Sequence, residues 1–493
     1  MAELKKITAL FFILCGCSPI VIGQQMGLKE AINIARSQSV EALQAKHAFI
    51  STYWAYRSYR ASMLPSLSLY GNLMNYNRAK ILLQSYEDGA LKYVTTDNLQ
   101  NSFGLQLNQN ITFTGGRLSV YSDLSRIDQF GVNKNLTWYS QPVTVSYYQP
   151  LFSYNAFKWN KKIEPKNYEV GKRQYLETME GVTITTVNAY YQLLTARQNY
   201  SISQNNYNNT QQMLKVAKER MKIGSVSRDE YLQLELRMLN DSIFVNENFV
   251  KLGEMQMHFN SLLGLDESSE IIPVLEEELP NITMDYNFVL DKVMSNSKFN
   301  LENDIKVLNA QSNVEKAKAD RGITMSLNAR FGLSQNGDKF KNANKDLIDQ
   351  EVVGLTFSIP IFDWGMGKGK VQKAKAAEKV ALAQVRQDEN DYRRTIFTAV
   401  GEFNNQYRQC TVSKRAMIIA QERYNLVMEN FRRGTASVMD LNTARSENDN
   451  AQTQYISDIS TFWTAYYTLR KYTLHDFIEK KDLEIDVKEM ITD

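Results

Sequence analysis

Two stretches of this chain contain almost nothing that would end a helix. From Ala156 to Ile223 there is one proline, Pro165, and two glycines, Gly171 and Gly181. From Gly365 to Arg433 there is no proline. Each stretch predicts one helix about 100 Å long, at roughly 1.5 Å per residue. A helix of that length cannot be the core of a compact globule. It has to lie lengthwise against other helices, as in a bundle or coiled coil.

Both stretches end in the same small corner. "MKIGSVSRDEYL" (221–232) and "FRRGTASVMDLN" (431–442) lie 210 residues apart, with Gly224 over Gly434, Ser227 over Ser437 and Glu230 over Asp440. A glycine can take the left-handed backbone that stops a helix. A serine followed three residues later by an acid is a capping box, which starts the next one. Asp229 adds a second acid to the first corner. The corners therefore reverse the long helices into 228–263 and 438–474. The junctions "QPLFSY" (149–154) and "IPIFDW" (359–364) are also 210 apart. The upstream arms "SVEAL" (39–43) and "SKFNL" (297–301) are 258 apart. One plan, helix, strands, long helix, corner, helix, is thus given twice, with 48 extra residues in the first copy.

Between the helices the hydrophobic period changes to two. Residues 64–73, 104–113, 118–124, 143–148, 326–333 and 355–359 alternate apolar with hydroxyl or amide side chains, and 28–62 reads as helix. Such alternation fits a half-buried soluble sheet or a membrane barrel with lipid outside and water inside. Aromatic residues favour the barrel: Trp138, Tyr139, Tyr147, Tyr148, Phe152, Tyr154, Phe157 and Trp159 gather at strand ends, as do Phe362 and Trp364. Four to six strands cannot close alone, because a transmembrane barrel needs at least about eight. An open edge in lipid would leave backbone groups unpaired, so the chain must share a barrel. The extra residues fall where 103–126 would fold about Thr114-Gly115-Gly116. Two extra strands per chain would widen the barrel against an unchanged number of helices, so this hairpin is expected to be an accessory to a twelve-stranded wall. The segments 77–100 and 335–351 are expected as loops facing outside the cell.

The first 23 residues, "MAELKKITALFFILCGCSPIVIG", have two lysines, an apolar core and small residues, the pattern of an export leader. Cleavage after Gly23 is expected; "LCGC" (14–17) also resembles a lipobox, which would instead leave Cys17 lipidated. No later run approaches the roughly 18 apolar residues of a spanning helix. Mean hydropathy is −0.40 and the net charge +3, which gives no argument for nucleic acid. Cys410 is the one cysteine outside the leader, so neither a disulfide framework nor a thiolate metal cluster is expected. His47, His258 and His475 are far apart, and "GMGKGK" (365–370) lacks the spacing of a phosphate loop. Neither catalysis nor a cofactor is expected.

The opening "LKEAINIA", the strand start "LPSLSL", the junctions "QPLFSYNAFKW" and "IPIFDWGMGKGK" and both corners together resemble the TolC family of outer membrane efflux proteins over nearly the whole mature chain. The resemblance implies an α+β membrane protein, a homotrimeric β-barrel continuous with a long periplasmic α-helical barrel. It implies an outer-membrane location in a Gram-negative cell, and a passive exit duct energised by a periplasmic adaptor and an inner-membrane pump. The expected divisions are a leader over 1–23, repeats over 24–270 and 271–476, and a charged tail over 477–493. Adaptor docking falls at Gly224, Ser227, Gly434 and Ser437. Asp440 matches the first acid of the family's tip constriction, with Glu230 and Asp229 as further acids; the second constriction acid falls at Thr443. The family's gate-locking arginine falls at Ala436 and its tyrosine partner at Phe431, so the familiar lock is missing. Lys158, Lys161 and Lys162, and Lys368, Lys370, Lys373 and Lys375, oppose the dipole of the helices they open, and outer-membrane lipid headgroups would compensate them. The competing reading is a non-channel periplasmic coiled-coil adaptor or scaffold with a soluble sheet.

Overall fold

The computed structural model describes residues 24–84, 89–131, 134–276 and 278–492. The leader, with Cys15 and Cys17 and both ways of processing it, lies outside the described residues.

The elements follow the doubled plan. The first copy runs β1 (Gln24–Met26), α1 (Leu28–Gln38), α2 (Val40–Ala61), β2 (Ser66–Gln84), β3 (Leu91–Ile111), β4 (Gly116–Gln129), β5 (Asn135–Leu151), α3 (Ala156–Lys222) and α4 (Arg228–Leu263). The second runs β6 (Ile271–Pro273), α5 (Tyr286–Asn296), α6 (Phe299–Arg321), β7 (Thr324–Gly337), β8 (Ile348–Ser358), α7 (Met366–Arg433) and α8 (Val438–Thr473). After it come β9 (His475–Asp476), β10 (Lys481–Asp482) and α9 (Val487–Thr492). The two long helices thus form as the absence of breakers requires, and Pro165 is accommodated inside α3. The expected helix over 28–62 is two helices, because Ser39 takes extended backbone. Its hydroxyl accepts the Ala42 amide and starts the second helix.

The chain divides into two compact units. One comprises Ser51–Gly171 and Lys298–Glu389. It holds a six-stranded antiparallel sheet in the order β2-β3-β4-β5-β7-β8. Every predicted strand is present, and most are longer than the alternation showed. The expected accessory hairpin is corrected here. β3 is laddered to β2 between Leu91 and Asn108 and to β4 between Asn98 and Ile111, and β4 to β5, so the hairpin is continuous wall. Seventeen residue pairs tie β3 to β2, which no peripheral flap would make. The expected loop 77–100 is likewise mostly strand: β2 and β3 continue seven pairs past the last β3–β4 pair, from Arg78–Asp97 to Gln84–Leu91. The loop expected over 335–351 shrinks to the residues between Gly337 and Ile348, with a short 3-10 turn at Asn342–Asn344.

Four helix segments of this unit run side by side. Tyr56 of α2 stacks on Tyr168 of α3 at 4.8 Å. Lys166 of α3 pairs with Asp304 of α6 at 2.7 Å, and Lys306 of α6 with Asp388 of α7 at 3.0 Å. The row is therefore α2-α3-α6-α7.

The other unit comprises Met1–Ile50, Lys172–Ser297 and Asn390–Asp493. Its main core joins Ala31 and Ala35 of α1, Tyr190 and Leu193 of α3, Phe259 of α4, Val289 and Val293 of α5, Phe403 of α7 and Phe462 and Tyr466 of α8. β1 and β6 pair in parallel. The Tyr190 hydroxyl, buried beside them, donates to the Val274 carbonyl at 2.7 Å. The tail beyond 476 is not merely charged: Phe477 is buried, and β10 folds back on β9.

Candidate functional site: the helical corners and the sheet face

At both corners the backbone does what the sequence demands. Gly224 has φ +75° and Gly434 φ +89°, the left-handed region a helix-ending glycine occupies. Ser227 and Ser437 then cap α4 and α8 with complete capping boxes. The Glu230 carboxylate accepts the Ser227 amide at 2.9 Å, and Asp440 accepts the Ser437 amide at 3.1 Å. The serine hydroxyl and amide beside Asp440 hold its carboxyl below the usual range. Asp229 accepts from Gln233 at 2.7 Å. Thr443 turns its hydroxyl to its own helix, donating to the Met439 carbonyl.

The corners share a small apolar core. Met213 and Ala217 of α3, Val226, Leu234 of α4, Tyr424, Met428 and Phe431 of α7 and Val438, Leu441 and Ala444 of α8 pack together. Phe431 is buried in it, while its carbonyl accepts from the Arg220 guanidinium at 3.1 Å. Arg220 thus reaches from the first corner to the second. A Cβ built on Gly434 would meet its Nη2, whereas one built on Gly224 meets nothing within 4 Å. The repeated corners are alike in backbone and unlike in surroundings.

Beyond this core lies a charged cluster that the sequence reading missed. Arg445 of α8 clasps Asp241 of α4 with two bonds, 2.6 and 3.0 Å, and Asp241 is 1% exposed. Thr210 of α3 donates to the same carboxylate at 2.7 Å. Arg237 approaches it at 3.4 Å. Asn206 donates to Asp449 at 2.8 Å, and burial pushes the Asp449 carboxyl above its usual range despite Asn206 and Arg445. The cluster ties the two hairpins of one chain together. A signal for it existed. Asp241 lies seven residues after buried Leu234, and Arg445 seven after buried Val438. Both therefore stand on the inward stripe of their helices, where a charge needs a partner.

The sheet offers a second feature. Residues paired across it keep one face apolar: Leu67–Leu107–Val120–Val145–Phe331 on five strands, and Leu118–Tyr147–Ala329–Val353 on the last four. Leu67, Leu69, Val353, Leu355 and Phe357 are more than half exposed. The opposite face carries Ser66–Asn108–Ser119–Ser146–Arg330 and Ser68–Gln106–Tyr121–Thr144. An apolar face of this extent is far more than a soluble monomer leaves open. Among the described residues no helix is long and apolar enough to cross a membrane, and no cluster could hold a metal ion.

The lysines after the junctions are partly compensated from within. Lys158 pairs with Glu315 at 3.4 Å, and Lys162 lies 5.3 Å from the ring centre of Trp159. Before α7, Asp363 accepts the amides of Gly365 and Gly367 at 2.9 and 2.6 Å, placing a carboxylate at the positive end of the helix.

Residues 300–473 match the model of the outer membrane efflux protein family. The match covers about a third of the chain. It is 22% identical over 373 residues to the outer membrane protein TolC of Escherichia coli strain K12, covering 70% of this chain and 72% of that protein. The structure resembles the outer-membrane channel OprN with a TM-score of 0.63 at 13% identity, over 90% of this chain and 89% of that one. It resembles the Neisseria gonorrhoeae MtrE channel with a TM-score of 0.58 at 14% identity, over 93% and 91%. The chain thus has the α+β fold of these outer-membrane channels.

Proposed function

We propose that this protein is an outer membrane efflux protein, the outer-membrane exit duct of a tripartite export system, a homotrimer whose transport energy comes from an inner-membrane pump joined to it by a periplasmic adaptor. The observation that carries the reading is the open six-stranded sheet. It has one lipid-compatible face, too few strands to close, and two edges without partners among the described residues. Further copies of the chain supply those partners. The repeats 24–270 and 271–476 each contribute one hairpin to a helical tunnel, and the corners with Gly224, Ser227, Gly434 and Ser437 receive the adaptor.

The duct is gated at the corners. A solved relative, MtrE, is described in an open state. In place of the family's lock, which would fall at Ala436 and Phe431, closure rests on Arg445–Asp241 and on Arg220 at the Phe431 carbonyl. Three copies of Asp440 ring the opening and favour cations, with Glu230 and Asp229 behind them. Removing one partner of a buried ion pair costs about 3–5 kcal/mol. Arg445→Leu should therefore weaken closure. In planar bilayers the wild-type protein should show a small conductance and Arg445→Leu one at least about tenfold larger, which is about 1.4 kcal/mol of population shift. A wild-type channel already fully open, or an unchanged variant that is folded and trimeric, overturns the gate.

A further inference from the structure

We propose that the barrel formed by this protein has eighteen strands, six from each of three chains, and a bore wide enough to admit a hairpin of α-helical polypeptide. This deepens the exit-duct reading and rests on it for the number three.

The sheet itself carries the first part. β3 and β4 are its second and third strands, laddered on both sides. A hairpin folded into the lumen or laid on the outside would break the alternation of the wall. Here Leu107 and Val120 fall in register between Leu67 and Val145, and Asn108 and Ser119 between Ser66 and Ser146. All six strands therefore present lipid and water on the same two faces. Five antiparallel steps leave β2 and β8 running in opposite directions, so β8 of one copy can pair antiparallel with β2 of the next. The closed wall then has an even number of strands, as single-chain outer-membrane barrels do.

The width of the helix row carries the second part. Strands about 4.8 Å apart and tilted about 40° each take roughly 6 Å of a barrel's rim. Six of them span about 37 Å per chain, and four would span about 25 Å. The row α2-α3-α6-α7, at about 9 Å between helix axes, spans about 36 Å. Six strands thus match four helices in width, and the mismatch expected of a widened barrel does not arise. Eighteen strands give a backbone diameter of about 36 Å, against about 24 Å for twelve. Side chains reaching about 5 Å inward leave a clear bore of about 26 Å in the first case and about 14 Å in the second. A helix with its side chains is about 10–12 Å across. The wider bore passes a helical hairpin, and the narrower one a single helix at most.

The test is a distance. In a Cys410→Ser background, Val145→Cys and, separately, Ala329→Cys place one nitroxide label per chain on the apolar face of the wall, pointing outward. The labelled protein is purified in detergent, its mass measured by light scattering, and label separations read by pulsed electron resonance. Labels reaching about 5 Å beyond the backbone of an eighteen-stranded trimer stand about 40 Å apart, and on a twelve-stranded one about 29 Å apart. The expected result is the mass of three chains with both positions at the wider spacing. Three chains with both positions at the narrower spacing overturns the eighteen-stranded barrel and leaves the duct intact. A mass other than three chains overturns the trimeric duct, and this inference with it.

Discussion

Asp440 is held by its own cap. Its carboxylate takes both the amide and the hydroxyl of Ser437, an arrangement that needs an acceptor and is strengthened by a charge. The two roles assigned to it can therefore be separated. Asp440→Asn retains an acceptor for the Ser437 amide but loses the charge, so its thermal midpoint should fall only slightly, while cation preference in bilayers should fall markedly. Retained preference would remove Asp440 from the ring. Because the folded carboxyl lies below its ordinary range, its contribution to stability is present above that range and is lost only as pH falls through the lowered value. Lowering the pH from 7 to 5 should leave the cap unchanged. Cys410 is governed by burial of another kind. Its side chain lies in the helical core, and desolvation pushes the thiol up to about 12. Folded protein at pH 8 should resist a thiol reagent such as maleimide and react fully in denaturant. Rapid labelling of folded protein would contradict the packing of α7.

The corners set out the same comparison between elements. A left-handed non-glycine residue costs about 1–2 kcal/mol. Gly224→Ala should lose about that much and no more, since nothing crowds it. Gly434→Ala bears the same strain and also displaces Arg220 from the Phe431 carbonyl, so it should lose more, by about 1 kcal/mol. Equal thermal shifts in the two variants would show that Arg220 does not hold the corners together. The sequence revealed the backbone of both corners, because glycine, serine and acid at fixed offsets dictate local geometry. It did not reveal Arg220 over Gly434, because that contact joins residues 211 positions apart in the chain. The same holds for the strands. Alternation located all six, but β2 and β3 extend past it through Asn77, Arg78, Thr95 and Thr96, where both faces are polar and period two disappears. The hairpin 103–126 was misplaced for a related reason. Alternation assigns a face to each residue and says nothing about which strand lies alongside.

At the scale of the molecule, the sheet and the helix row were legible as kinds of structure, and their widths were not. Whether six strands fit four helices depends on spacings that the register and the cross-helix pairs disclose. The membrane orientation can be checked directly. Lys345, between β7 and β8, has a side chain 71% exposed. Lys345→Cys should react with an impermeant maleimide on intact cells, and failure to label folded protein there would reverse the topology. The β2–β3 ladder continues seven pairs beyond its neighbour, about 24 Å along the strands at roughly 3.4 Å per residue. No strand adjoins β3 over that length among the described residues, and unpaired backbone is not tolerated in hydrocarbon, so the extension belongs in water. Each assembled duct would then raise three ribbons above the bilayer, the first part of it that an antibody or a bacteriophage encounters. Selection by such agents would fall on the ribbons and not on the lumen, leaving their sequence free to change while the wall beneath keeps its register.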